Sequence, residues 1–372
     1  MNPFNYGTIV KGDNFYDRKE ECKRIVRVLS GGNNIVLYAP RRFGKTSLVF
    51  KAMEELEKKG FICVYFDFMP VFSLESFVRL YSKALAKKQA NLQKFVQTFA
   101  SLIKNIRPVL TFGHDGKPEF SIDFMGGKID ETTVSQLLDL PEKIAGFRKR
   151  VLVFLDEFQD VEKLEKINFE ALLRSKIQQQ EKTNYLFLGS KTHILKELFN
   201  SKKKAFYNAA FQMTIIGLPK VDTMEYLRRK FAESNIVIND EEALYIISVT
   251  SNIPHYIQLL SSEIWQYMIN TSKTVTKEII DKCINLLIEL KSDYYIELFD
   301  KQSRSKKQLL QALIKNGENI FSTAYIRTNN LSGAATIQRA ISGLILEGIV
   351  EKTNSEYFIT DPFFKLFIEK NT

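Results

Sequence analysis

Up to about residue 218, short unbroken apolar runs alternate with longer stretches in which apolar residues recur every three or four positions. The short runs predict strands at Ile35 to Tyr38, Ile62 to Phe68, Val151 to Leu155, Tyr185 to Gly189 and Gln212 to Ile216. The longer stretches predict helices over Arg18 to Leu29, Thr46 to Lys58, Leu74 to Ile103, Val134 to Ala145 and Asn168 to Glu181. Strands with few polar interruptions are covered on both faces, and strands alternating with helices imply a parallel sheet with crossover helices. The expected fold is α/β.

Two regions depart from this rhythm. Between about 108 and 125 apolar and polar residues alternate on either side of Asp115-Gly116, which predicts a β-hairpin inserted into the first domain, either a partner-binding arm or a decoration. From Val221 the strands stop. Helices are expected at Met224 to Ser234, Glu241 to Thr250, Tyr256 to Thr271 and Lys277 to Phe299, with Asp240 and Thr276 as caps. After the polar stretch Asp300 to Lys307 come helices at Gln308 to Lys315, Thr323 to Asn329 and Ala334 to Glu347, then two short strands around Asn354-Ser355. Three helices followed by a hairpin is the winged-helix plan. The expected domains are 1–218, 219–299 and 300–372.

Composition narrows the class. The 372 residues are 45% hydrophobic and 26% charged, and no apolar stretch approaches the length of a bilayer span. The first residues lack the basic-then-apolar layout of a signal peptide, so a cytoplasmic location is expected. The cysteines Cys22, Cys63 and Cys283 and the histidines His114, His193 and His255 are scattered, without disulfide or metal-ligand spacing. The net charge of +10 favours polyanionic partners but is spread thinly. Lys202 to Lys204 and the group Lys301, Arg304, Lys306, Lys307 are the local concentrations, each a solvated basic loop or a nucleic-acid or phosphate contact.

The chemistry begins directly after the first strand, where Ala39, Pro40, Arg41, Arg42, Phe43, Gly44, Lys45, Thr46 and Ser47 occupy the order strand, phosphate loop, helix start. A bound triphosphate needs inward-turned backbone N–H groups, an ammonium near the β/γ oxygens and a hydroxyl for Mg²⁺; Gly44, Lys45 and Thr46 are the residue types that supply these. Ala39 stands where the usual pattern has its first glycine. About 110 residues later the strand from Val151 ends in Asp156-Glu157, with Asp156 suited to holding Mg²⁺ through water and Glu157 to polarising an attacking water. A further strand lies between the two signals, an ordering that points to hydrolysing ATPases rather than small nucleotide kinases. Ser190, at the end of the next strand, is either a sensor of the γ-phosphate or a polar strand cap.

These motifs, the box Phe15 to Glu20, the Ser251-Asn-Ile-Pro254 segment and the C-terminal Asp361-Pro-Phe-Phe364 resemble the archaeal-type AAA+ ATPases of the STAND class over nearly the whole chain. The resemblance implies a P-loop NTPase parallel sheet of the ASCE/AAA+ kind, a helical lid and a C-terminal winged helix, with ATP or ADP and Mg²⁺ as ligands. It also implies that Phe15 to Arg18 and Pro254 flank the adenine and ribose. No arginine occurs between Ser175 and Leu227, where ring-forming AAA+ proteins carry a finger, so a finger-dependent hexamer is disfavoured while other oligomers remain open.

In the winged helix, Ile337, Ile341, Leu344 and Ile345 are expected to face the core, leaving Thr336, Gln338, Arg339 and Ser342 outward, with Thr336, Gln338 and Arg339 as the candidate DNA contacts. Residues 301–372 hold ten Lys or Arg and six Asp or Glu, a modest excess for a duplex binder, so DNA contact and protein docking both remain open. The expected function is a slow, Mg²⁺-dependent ATPase acting as a switch on the winged helix. The alternative is an ATP-dependent DNA-binding or loader protein resembling replication initiators.

Overall fold

In the computed structural model the five apolar runs form one parallel sheet. Residues 2–7, 18–113, 116, 118–126, 129–145, 149–215, 217–269, 273–353 and 356–371 are described. The chain divides into two compact units, one of residues 18–41 and 45–216, the other of 1–17, 42–44 and 217–372 as far as they are described.

The first unit holds α1 (Lys19–Ser30), β1 (Ile35–Tyr38), α2 (Lys45–Lys58), β2 (Ile62–Asp67), α3 (Leu74–Ala86), α4 (Leu92–Leu102), β3 (Ile106–Phe112), β4 (Pro118–Phe124) and α5 (Glu131–Ala145). It continues through β5 (Val151–Asp156), a 3₁₀ turn (Phe158–Lys163), α6 (Phe169–Gln179), β6 (Thr183–Gly189), α7 (Thr192–Asn200) and β7 (Phe211–Thr214). The sheet order is β2-β5-β6-β1-β7, every pair parallel. All residues of β1, β5 and β6 are buried, as strands covered on both faces require. One face carries an aromatic core in which Phe158, Phe187, Phe199 and Phe206 meet with ring centroids 4.7–6.2 Å apart. The chain leaves β1 for the far edge of the sheet at β2 and fills the places between them later, so the carboxyl ends of β1, β5 and β6 open side by side. Ligands gather at such a point in open α/β sheets.

The helix expected over Leu74 to Ile103 is two helices. Asn91 starts the second by accepting a hydrogen bond from the Lys94 N–H (2.9 Å) after the polar run Lys87 to Gln89. The segment around Asp115-Gly116 joins two antiparallel strands, β3 and β4, paired from Ile106 with Phe124 to Phe112 with Pro118; Asp115 itself lies outside the described residues.

The second unit contains α8 (Lys220–Ala232), α9 (Asp240–Val249), α10 (Pro254–Met268), α11 (Lys277–Glu289), α12 (Ser292–Asp300), α13 (Arg304–Lys315), α14 (Thr323–Thr328), α15 (Ala334–Leu346), β8 (Val350–Lys352), β9 (Tyr357–Ile359) and α16 (Pro362–Asn371). The helix expected from Lys277 to Phe299 is broken at Leu290 and Lys291, with Asp293 in the first turn of the new helix. Thr276 stands at the N-cap of α11, whereas α9 is preceded by Asn239 and begins at Asp240. β8 and β9 are antiparallel; the turn at Asn354-Ser355 lies outside the described residues. Tyr295 of α12 packs against Phe364 and Phe367 of α16 (5.4 and 5.6 Å), and Tyr256 of α10 against Phe363 (5.7 Å). No helix among the described residues is long and apolar enough to cross a membrane.

Candidate functional site

The phosphate loop leaves β1 with Ala39 and Pro40 buried and needs no glycine at its first position. Positive φ falls instead on Arg42 (71°) and Gly44 (75°), and Ala39 is not among the residues in that region. The left-handed conformation is cheap at Gly44 and unusual at Arg42. Helix α2 then begins at Lys45, whose side chain is 8% exposed.

Lys45, Thr46, Asp156, Glu157 and Ser190 meet in the first unit. Lys45 Nζ lies 3.2 Å from Asp156 Oδ1 and 3.4 Å from Glu157 Oε1. Thr46 Oγ1 donates to Asp156 Oδ2 (3.4 Å), which also accepts from the Tyr65 hydroxyl (2.7 Å). Asp156 Oδ1 accepts from the Glu157 N–H (2.8 Å). Glu157 has φ 48° and opens the 3₁₀ turn; its Oε2 accepts from Gln159 Nε2 (2.5 Å), Ser190 Oγ (2.8 Å) and Ser190 N (3.2 Å). Arg41, exposed, reaches Ser190 Oγ with Nε (3.3 Å), while Lys191 is drawn toward Asp160 (3.9 Å).

Burial pushes the Glu157 carboxyl up, but the Lys45 ammonium and the donors on Gln159 and Ser190 outweigh it and hold it below the usual carboxylate range. Burial, followed by the Asp156 charge, drives the Tyr65 phenol far up, so it acts only as a donor. Asp67, in register with Asp156, is raised by burial first. One ammonium thus faces several carboxylates across a corner of hard oxygen donors. Thr46 Oγ1 and Asp156 Oδ2 are the oxygen donor types that Mg²⁺ takes, so the residues present fit this ion.

The remaining expected residues are distributed as follows. Phe43 and Ser47 are buried. Arg18 is buried at the start of α1, with φ 68° and Nη1 3.2 Å from Glu21; Phe15 to Asp17 lie outside the described residues. Pro254 is the first residue of α10. Within the second unit Arg42 is joined to that helix: its carbonyl accepts from the His255 N–H (3.4 Å) and its guanidinium lies over the Tyr256 ring (4.9 Å). Arg42 Nη1 is 3.7 Å from Asp361 Oδ2, which also accepts from the Tyr295 hydroxyl (3.3 Å). Asp361 Oδ1 receives the N–H groups of Phe363 and Phe364 at the start of α16 (3.0 and 3.3 Å). On α15, Ile337, Ile341 and Leu344 are buried, Ile345 is half-buried, Gln338, Arg339 and Ser342 are exposed and Thr336 is half-buried. Lys306 is paired with Glu347.

Tyr65 and Gln159 had no assigned role in the sequence. A hydroxyl two positions before Asp67 in the mainly apolar β2, one strand from the acidic tip, is a usable signal for Tyr65; an amide two residues after Glu157 is a weaker one for Gln159.

Residues 15–260 match an ATPase domain predominantly from Archaea, and residues 293–370 match a probable winged helix domain. A curated but uncharacterized protein of Methanocaldococcus jannaschii is 22% identical over 304 residues, 80% of this chain and 54% of that protein. The chain therefore spans about half the length of that relative. Among solved structures, a Walker-type ATPase of Pyrococcus abyssi aligns with TM-score 0.66 at 16% identity, covering 99% of both chains. The Aeropyrum pernix ORC2 protein, solved as ADPNP-ADP complexes, aligns with TM-score 0.56 at 13% identity, covering 100% of this chain and 98% of that one. At these identities the likeness carries the fold: a parallel α/β sheet of the P-loop ATPase kind with a C-terminal winged helix.

Proposed function

Because the chain belongs to the family of ATPase domains predominantly from Archaea, we propose that it binds and slowly hydrolyses ATP as a STAND-class switch whose nucleotide state is passed to the winged helix. The meeting of Lys45, Thr46, Asp156 and Glu157 in one buried corner carries this reading. The nucleotide complexes of the A. pernix neighbour support it. Lys45 leaves its two carboxylates to neutralise the β/γ-phosphates, Thr46 and Asp156 hold Mg²⁺, Glu157 orients water and Ser190 responds to the γ-phosphate. When bound, Mg²⁺ supplies charge neutralisation on the phosphate oxygens. Tyr65 keeps the Asp156 carboxylate turned toward Thr46.

The coupling runs through Arg42, which belongs to the phosphate loop by sequence and is paired with Asp361 at the start of the last winged-helix helix. The arginine-free stretch from Ser175 to Leu227 supports a switch that does not depend on a neighbour's finger. Glu157→Gln is expected to bind ATP normally and to release phosphate ~10²–10³-fold more slowly. Turnover of that variant at the parental rate removes Glu157 from the reaction.

A second reading, an ATP-dependent DNA binder or loader, is favoured by one observation: Gln338 and Arg339 are exposed on α15 of the winged helix. It requires DNA binding that weakens with salt and responds to ATP. Indifference to DNA at low salt sinks it.

A further inference from the structure

Gln159 occupies the space beside Gly189. The residue is 4% exposed, and its Oε1 has no hydrogen-bond partner among the described residues. That oxygen lies against Gly189, the last residue of β6, where a Cβ would stand 2.0 Å from Oε1 and 3.2 Å from the amide carbon. Gly189 is paired in register with Tyr38 of β1 and is not among the glycines with positive φ, so its backbone is open to any residue. A side chain at 189 would have to displace the Gln159 amide.

The two oxygens of Glu157 are held unequally. Oε2 accepts three hydrogen bonds, from Gln159 Nε2, Ser190 Oγ and Ser190 N, whereas Oε1 has the Lys45 ammonium at 3.4 Å. Departure of Lys45 toward a triphosphate frees Oε1 and leaves Oε2 tied. We infer that Gln159 is a positioning residue for ATP hydrolysis, fixing Glu157 through Oε2 so that Oε1 meets the attacking water, and that Gly189 belongs to the same device by making room for the amide. The inference rests on the proposed role of Glu157 above. In the step concerned, water oxygen forms a bond to the γ-phosphorus, the bond from that phosphorus to the bridging oxygen breaks, ADP leaves with the electron pair, and Glu157 Oε1 takes the water proton and later returns it to phosphate. An anchored carboxylate offers the same oxygen at every turnover, and orientation of this kind is worth at least a factor of ten in rate.

The test compares the full-length parent with Gln159→Ala, Gln159→Leu, Gly189→Ala and the double variant Gln159→Ala/Gly189→Ala, by steady-state ATP turnover, equilibrium binding of a fluorescent ADP analogue, and the melting temperature of the nucleotide-free protein. Gln159→Ala, and Gln159→Leu which keeps the volume, are expected to lower kcat about tenfold or more while KM and nucleotide affinity stay within about twofold. Gly189→Ala is expected to do the same by expelling the amide, and the double variant to be no slower than the single ones, because both act through one contact. In the nucleotide-free protein Gly189→Ala lowers the melting temperature, and lowers it less when Gln159 is already alanine. In the Glu157→Gln background Gln159→Ala should slow turnover no further. Parental kcat in Gln159→Ala, or single losses that multiply in the double variant, overturns the inference while the ATPase reading stands. A parent protein that releases no phosphate overturns the ATPase reading itself, and this inference with it.

Discussion

The two cations of the phosphate loop, three residues apart, sit in opposite physical settings. Lys45 is buried between two carboxylates at 3.2 and 3.4 Å, in a corner where every carboxylate oxygen is engaged. Arg42 has a side chain 44% exposed, a single carboxylate at 3.7 Å and an aromatic ring beneath it. Removing one partner of a buried pair strands the other, whereas a half-exposed pair is worth about 0–1 kcal/mol and is given up easily. On the proposed reading, Lys45 is the fixed cation and Arg42 the adjustable one.

The sharpest way to break this contrast is Lys45→Ala. It leaves Asp156 and Glu157 buried without their cation, and should cost about 3–5 kcal/mol in denaturant unfolding and abolish nucleotide binding in an equilibrium titration. Unchanged nucleotide affinity would separate Lys45 from the phosphates. Tyr65→Phe removes one donor from a buried carboxylate; a loss of about 1.5–3 kcal/mol and a higher Mg²⁺ requirement for turnover are expected, read by melting and by Mg²⁺ titration.

On the Arg42 side the effects are smaller and depend on pH. Burial, then the charges of Arg42 and Lys291, lower His255 to about 4, with Asp361 opposing them. The unfolded chain binds a proton near pH 6.5 and the folded chain does not until about 4, so stability is full above pH 6.5 and falls as the pH drops through that window. Melting curves between pH 7 and 4.5 should show this fall, and His255→Gln should flatten it. Asp361→Asn keeps a side-chain oxygen for the N–H groups of Phe363 and Phe364 but removes the charge facing Arg42. Stability should change by about 1 kcal/mol or less, while the ATP-induced change in protease protection of α16 shrinks. An unaltered ATP response would confine Arg42 to local packing.

The phosphate loop and the Asp156-Glu157 pair were legible because each is contiguous: a strand, a turn and a helix start dictate their own local geometry. The winged-helix order and the buried side of α15 followed from periodicity in the same way, with Ala340 added to that face. The breaks at Lys87 to Asn91 and at Leu290-Lys291 were hidden, since apolar residues keep a helical period through them and local caps decide the ends. Ala39 looked like a departure until the backbone showed that the positive-φ positions are Arg42 and Gly44.

By itself, then, the sequence determined an α/β chain of the P-loop kind with an acidic strand tip and a winged helix, because those features are set by residues adjacent along the chain. Only the tertiary structure brought Tyr65 to Asp156, fitted Gln159 against Gly189 and joined Arg42 to Asp361. These contacts link residues 30 to more than 300 positions apart, and strand order and helix packing, rather than any local preference, decide which side chains share a corner.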